Sequence, residues 1–185
     1  MIEEIQTENS YLICGLDESQ KGLVNQPDKP EIVVAAFSYN PEDGIPQKFR
    51  SKRDRNGALE WIASGGEYVF SLLKNEEYKH RGCNLYEQAP KLIQHFMDLK
   101  NLSKAHLGIH FDGLLDGNYE EELISFFSHI PRDMFEAKAY SKKPNDEILR
   151  TQPRIVRIAD GVAHYLSHLS VEELTHHPNF AYACD

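Results

Sequence analysis

Tyr11–Gly22 reads YLICGLDESQKG. The run YLICGL is short, apolar and followed by polar residues, the pattern of a buried strand. It ends on two adjacent acids, Asp17 and Glu18. A buried carboxylate has to be paired, protonated or bound to a metal. A strand that delivers carboxylates to its end needs partner groups elsewhere in the chain.

Working outward, EIVVAAFSYN (31–40) is a second apolar run rich in β-branched residues, again a strand. Residues 41–55 read as a loop with a basic cluster of Lys48, Arg50, Lys52, Arg53 and Arg55. NGALEWIAS predicts a short helix, broken at Gly65-Gly66. EYVFSLLKN (67–75) fits a third strand, with a helix nearly as compatible by periodicity alone. In NLYEQAPKLIQHFMDLK the residues Leu85, Ala89, Leu92, Ile93, Phe96 and Leu99 recur at helical spacing. Pro90 is expected in that helix's first turn, where a missing N–H does no harm. AHLGIHFDG predicts a strand ending on Asp112, NYEEELISFFSHI a helix stopped by Pro131, and MFEAKAYS a fifth strand. PRIVRIADGVAHYLSHL predicts the last helix, with Pro153 near its start. The tail HHPNFAYACD carries no clear signal.

Strands followed by alternating helix and strand predict an α/β fold with a mixed five-stranded sheet flanked by helices. The 185 residues suit one domain, 1–185, with 1–10 and 170–185 as peripheral termini. The net charge of −9 excludes coating of nucleic acid by bulk charge. Three dispersed cysteines, Cys14, Cys83 and Cys184, argue against a disulfide scaffold or a structural zinc site. The acidic start MIEEIQTENS lacks the apolar core of a signal peptide. No apolar run reaches the roughly 18 residues of a membrane span. A soluble protein of the cytoplasm, with no membrane partner, is the expectation.

Two strands thus end on acids, Asp17-Glu18 and Asp112. Residues just past strand ends line the ligand crevice of an α/β sheet. Glu87 falls in the first turn of the helix leading to Asp112, and Asp160 falls inside the last helix. Val156, Asp160, Ala163 and His164 share one helix face, so Asp160 is expected to point toward the body of the protein. Taken singly, a strand-end Asp is more often a turn or cap residue than a ligand, and Glu87 in a first turn complements the macrodipole; Asp160 is the least easily explained that way. Taken together, converging carboxylates raise one another's pKa, and a hard divalent cation relieves the conflict. Mg²⁺ or Mn²⁺ takes such oxygen ligands. A pair of them roughly 4 Å apart is the arrangement used for attack of water on a phosphodiester.

GLDESQKG is similar to the G-x-D-E-A-G-R-G opening of the type 2 ribonucleases H. It also resembles the D-E-S opening of uncharacterised bacterial and phage-associated families of the same RNase H-like superfamily. RIADGVAHYL resembles the late A-D of the latter. The resemblance spans about residues 11–169 and rests on few of them. It implies an RNase H-like fold and a two-metal Mg²⁺ or Mn²⁺ nuclease acting on nucleic acid. It assigns Asp17 as the central ligand, Asp112 as the acid of the fourth strand and Asp160 as the acid of the last helix. The fourth carboxylate is Glu18 in the type 2 pattern or Glu87 in the type 1 pattern. Gln20-Lys21 stands where the type 2 motif has G-R, and the A-S-x-x-A-K helix is absent, so RNA–DNA hybrid cleavage does not follow.

Lys21, Arg50, Lys52, Arg53 and Lys142 are the expected phosphate contacts, with Lys138 and Lys143 nearby and Phe49 as an aromatic beside them. His164 is placed to shuttle a proton. Two other readings stay open: an RNase H-like binding module without catalysis, and a small-molecule protein of another α/β fold in which the acids are caps. DNA or RNA substrate and oligomeric state are left open.

Overall fold

The computed structural model describes residues 11–19, 30–50, 55–73, 84–112, 117–140 and 149–184. In chain order these form β1 (Tyr11–Ser19), β2 (Glu31–Ser38), β3 (Pro46–Arg50), α1 (Arg55–Ala63), β4 (Glu67–Leu73), α2 (Asn84–Lys100) and β5 (His106–Phe111). There follow α3 (Gly117–Phe126), β6 (Phe135–Ala139), β7 (Leu149–Pro153), α4 (Arg154–Leu166), α5 (Val171–Thr175) and β8 (Phe180–Cys184). A 3₁₀ turn at Pro41–Gly44 precedes β3.

One mixed sheet of six strands runs β6-β5-β1-β2-β4-β8. β1 is antiparallel to β2 and parallel to β5. β4 continues the antiparallel side, and β6 the parallel side. EYVFSLL is thus a strand, and all but its first residue are buried. Burial on both faces erases alternation, which is why periodicity left a helix open there.

The strand beyond the expected five is β8, parallel to β4 at the sheet edge. It comes from the tail expected to lie at the periphery. A capping box turns the chain back toward it: Ser170 Oγ accepts from Glu173 N–H at 3.2 Å, and Glu173 Oε2 accepts from Ser170 N–H at 2.7 Å. α5 then leads into β8.

A second departure is a two-stranded ribbon. β3 pairs antiparallel with β7, with Lys48 opposite Thr151 and Arg50 opposite Leu149. The sequence predicts a loop over the whole of 41–55, and β3 at Pro46–Arg50 corrects that. PQKFR and LRTQP are polar and far apart in sequence, so neither strand announces itself.

Each face of the sheet carries its own core. Leu12, Cys14 and Leu16 of β1 pack with Leu92, Ile93 and Phe96 of α2. Phe37 and Phe96 stack with centroids 3.8 Å apart. On the other face, Ile13, Val34 and Phe70 pack with Ile155, Ala159 and Val162 of α4. Fully burying a Val, Leu, Ile or Phe side chain in this way stabilises the fold by about 1.5–3 kcal/mol.

Pro90 lies inside α2 rather than in its first turn. It has no N–H to give the Tyr86 carbonyl, its i−4 acceptor. Tyr119 Oη donates to that carbonyl instead, at 2.8 Å. A donor from α3 thereby fills the gap that the proline leaves.

Candidate carboxylate site

The strand alternation of β1 decides which side chains meet. Asp17 is paired with Val34, whose side chain belongs to the core beneath α4. Glu18 is paired with Val33, which belongs to the opposite core. Asp17 therefore faces α4, and Glu18 faces the α2 side.

Gly15 precedes Asp17 on the same face. A Cβ at Gly15 would stand 2.3 Å from the Ile155 carbonyl oxygen and 2.8 Å from the Val156 nitrogen. The absence of a side chain lets the first turn of α4 lie directly on β1. Asp160, five residues after Ile155, is then carried to Asp17. Asp112 arrives by register: Leu16 is paired with Phe111 across the parallel β1–β5 ladder, and Asp17 and Asp112 are the next residues along.

The three carboxylates interact. Asp17 is held well above the ordinary carboxylate range. Burial of its carboxyl is the largest cause, followed by the charge of Asp160. The Glu18 backbone N–H opposes the shift by donating to Asp17 Oδ1 at 2.9 Å. The Asp112 charge and a side-chain hydrogen bond with Asp160 raise it further. The residue as a whole is only partly covered.

Glu87 sits in the first turn of α2, on the far side of the sheet from Asp17. Lys21, Lys52, Arg53 and Lys142, with Lys143, lie outside the described residues. Arg50 is the last residue of β3, and Phe49 precedes it opposite Arg150. Lys138 on β6 is paired with Glu136 at 2.8 Å. His164 is buried, with Nε2 3.0 Å from Nε2 of the exposed His168. Their H-x-x-x-H spacing in HYLSH was the available signal for that pair, one helical turn apart.

His110 went unpredicted. It is paired with Gly15 across the ladder and shares the face of Asp112, two residues on. Its Nδ1 is 3.0 Å from Tyr140 Oη. Burial lowers its pKa to about 4; Glu136 raises it and Lys138 lowers it, both by less. The imidazole is neutral at pH 7. The alternation of Gly108, His110 and Asp112 was the signal that places it beside the acids.

All three interacting donors are hard carboxylate oxygens, the set that suits Mg²⁺ or Mn²⁺ and not a thiolate-seeking metal. A cation there would reverse the repulsion that raises Asp17. As the side chains stand, no group of three or more His, Cys, Asp or Glu is in a metal-holding arrangement among the described residues.

No family model matches the chain, and no curated protein matches it. Among solved structures it is similar to the complex of RNase HII with PCNA from Archaeoglobus fulgidus. The TM-score is 0.51 and the identity 15%, covering 92% of this chain and 82% of that one. At that identity the likeness concerns the fold: the chain has an RNase H-like fold. Among the described residues no helix is long and apolar enough to cross a membrane.

Proposed function

We propose that the protein is a divalent-metal-dependent nuclease that hydrolyses phosphodiesters of nucleic acid. The observation that carries this reading is the convergence of Asp160 and Asp112 on Asp17, close enough for both charges to act on its carboxyl. Three separate elements of an RNase H-like fold supply these acids. Asp17, Asp112 and Asp160 hold the cation, Mg²⁺ or Mn²⁺. The fourth ligand is Glu18, which follows Asp17 on β1 with its side chain on the α2 face, or Glu87 in the first turn of α2 on that same face. A bound pair of ions supplies an activated water and stabilises the leaving oxygen. The protein's own part is to hold its carboxylates at the sheet end, with Asp17 fixed by the Glu18 N–H. The likeness to RNase HII supports nucleic acid as the partner.

The test is cleavage of RNA, DNA and hybrid substrates by purified protein with Mg²⁺ or Mn²⁺. Asp17→Asn should abolish it. Intact substrates across the whole panel with both metals would overturn the reading.

A second reading is a non-catalytic RNase H-like module that binds nucleic acid or protein. It is favoured by the lack of a metal-holding arrangement among the described residues. Calorimetric titration with Mn²⁺ separates the two: the nuclease takes up the ion through Asp17, and the inert module does not.

A further inference from the structure

A cleft of about 480 Å³ lies between α1 and α4, on the opposite side of α4's first turns from β1. That volume is in the range of small-molecule sites, roughly 300–1,000 Å³. Gly57 and Ala58 of α1 leave the gap open, and Trp61, Arg154, Arg157 and Ile158 line it.

Trp61 is held as a platform. A Cβ at Gly66 would stand 2.2–2.4 Å from Cδ2, Cε2 and Cε3 of the indole, so the Gly66 backbone covers the ring closely. The residue nevertheless remains partly exposed.

Arg154 is fixed at the start of α4. Its Nη1 donates to Asp43 Oδ1 at 3.0 Å, and Ser38 Oγ donates to Asp43 Oδ2 at 2.7 Å. Arg157 lines the same wall one turn on. The exposed Glu60 is the one acid of the lining, beside Arg157 and the Asp43-paired Arg154.

β7 runs straight into α4 at Arg154, and its partner strand β3 carries the exposed Lys48. Residues three apart on a helix have Cβ atoms about 5–6 Å from each other. Arg157 and Asp160 are so related, which sets the cleft beside the carboxylates.

We propose that this cleft holds one unpaired nucleotide, its base against Trp61 and its phosphate on Arg157, with Arg154 behind. A planar ring stacks on an indole whatever the base, and a guanidinium grips phosphate in bidentate fashion. The ligand is a base joined to a phosphate, either free or within a strand. Its delivery of a single strand to the acids rests on the nuclease reading; the binding does not. A paired base cannot reach the indole, so single strands bind more tightly than duplexes.

Trp61 is the chain's single tryptophan, so its fluorescence reports on the cleft alone. The full chain is titrated, without divalent metal, with adenosine monophosphate, inorganic phosphate and a short single-stranded oligodeoxynucleotide. Saturable quenching by the oligonucleotide, weakened about tenfold in Arg157→Ala and partly restored in Arg157→Lys, supports the site. Quenching by the mononucleotide as well assigns the free ligand; quenching by the strand alone assigns the strand. Equal effects of inorganic phosphate and nucleotide, or no quenching at all, overturn it. Should Arg157→Ala fail to fold, anisotropy of a labelled strand serves: Trp61→Leu loses about tenfold in affinity and Trp61→Phe much less. Equal affinity of Trp61→Leu and wild type overturns the site. Asp17→Asn retains the quenching while losing cleavage. An uncleaved panel with quenching intact would remove the nuclease reading and leave the cleft. Cleavage without quenching would do the reverse.

Discussion

Gly15 of β1 lies under the main chain of Ile155, so close that a Cβ would stand 2.3 Å from its carbonyl oxygen. Backbone, not a yielding side chain, occupies that space. Gly15→Ala must push α4 off the strand or bend β1. We expect a loss of about 1–3 kcal/mol, the usual range for overpacking a tight contact. Because α4 carries Asp160, the same substitution should lower the Asp17 pKa toward its ordinary value. Urea midpoints and a carboxylate NMR titration check both. An unchanged midpoint would show that α4 yields freely, and the account of the site's assembly would fail.

Asp17 gives a pH dependence of definite sign. Its folded pKa is raised, and its unfolded value is about 3.9. The folded state therefore binds more protons, and the stabilisation this gives is complete below about pH 4. It is lost as pH rises through the raised value. In chelator, wild type should lose stability across that window relative to Asp17→Asn, which should be the more stable at pH 7. Millimolar Mn²⁺ should raise the wild-type melting temperature and leave Asp17→Asn unmoved. Parallel pH profiles for the two proteins would contradict the raised pKa.

The carboxylates were easier to find from sequence than the elements around them, for a physical reason. A strand ending on acids, and an acid on a mostly apolar helix face, are local patterns that alternation and i, i+4 spacing expose at Asp17, Asp112 and Asp160. β1 and β2 declare themselves through runs of apolar residues and α2 and α4 through apolar residues at helical spacing, whereas β4, buried along nearly its whole length, leaves a helix open. The β3–β7 ribbon did not, because Lys48 and Thr151 meet across about a hundred residues without an apolar pattern on either strand. β8 was hidden by its shortness and its position on a sheet edge. Trp61 and Arg157 belong to different helices, and only packing brings them to one cleft. His110 was masked by its apolar neighbours Ile109 and Phe111.

Pro90 and Tyr119 should be energetically coupled. Tyr119→Phe removes the donor to the Tyr86 carbonyl. An unsatisfied carbonyl of this kind costs about 1–3 kcal/mol. Pro90→Ala restores an N–H at residue 90 that can donate to the Tyr86 carbonyl, so Tyr119→Phe should lose less in the Pro90→Ala background than in wild type. Chemical denaturation of all four proteins measures the coupling. Additive losses would mean that the tyrosine hydroxyl does not stand in for the missing amide.

His110 titrates in the opposite sense to Asp17. Burial lowers its folded pKa to about 4, against an unfolded value near 6.5. The unfolded chain then binds the extra proton between these values. The stability is complete above about pH 6.5 and falls away as pH drops toward 4. A shift of this size corresponds to about 3 kcal/mol at 1.36 kcal/mol per pH unit. His110→Gln removes the titration and keeps a polar partner for Tyr140 Oη. Its stability should fall less steeply than that of wild type between pH 6.5 and 4. Subtracting the two profiles cancels Asp17, which is common to both. An imidazole that titrates by NMR near pH 6.5 in the folded protein would refute the burial of His110 against Tyr140.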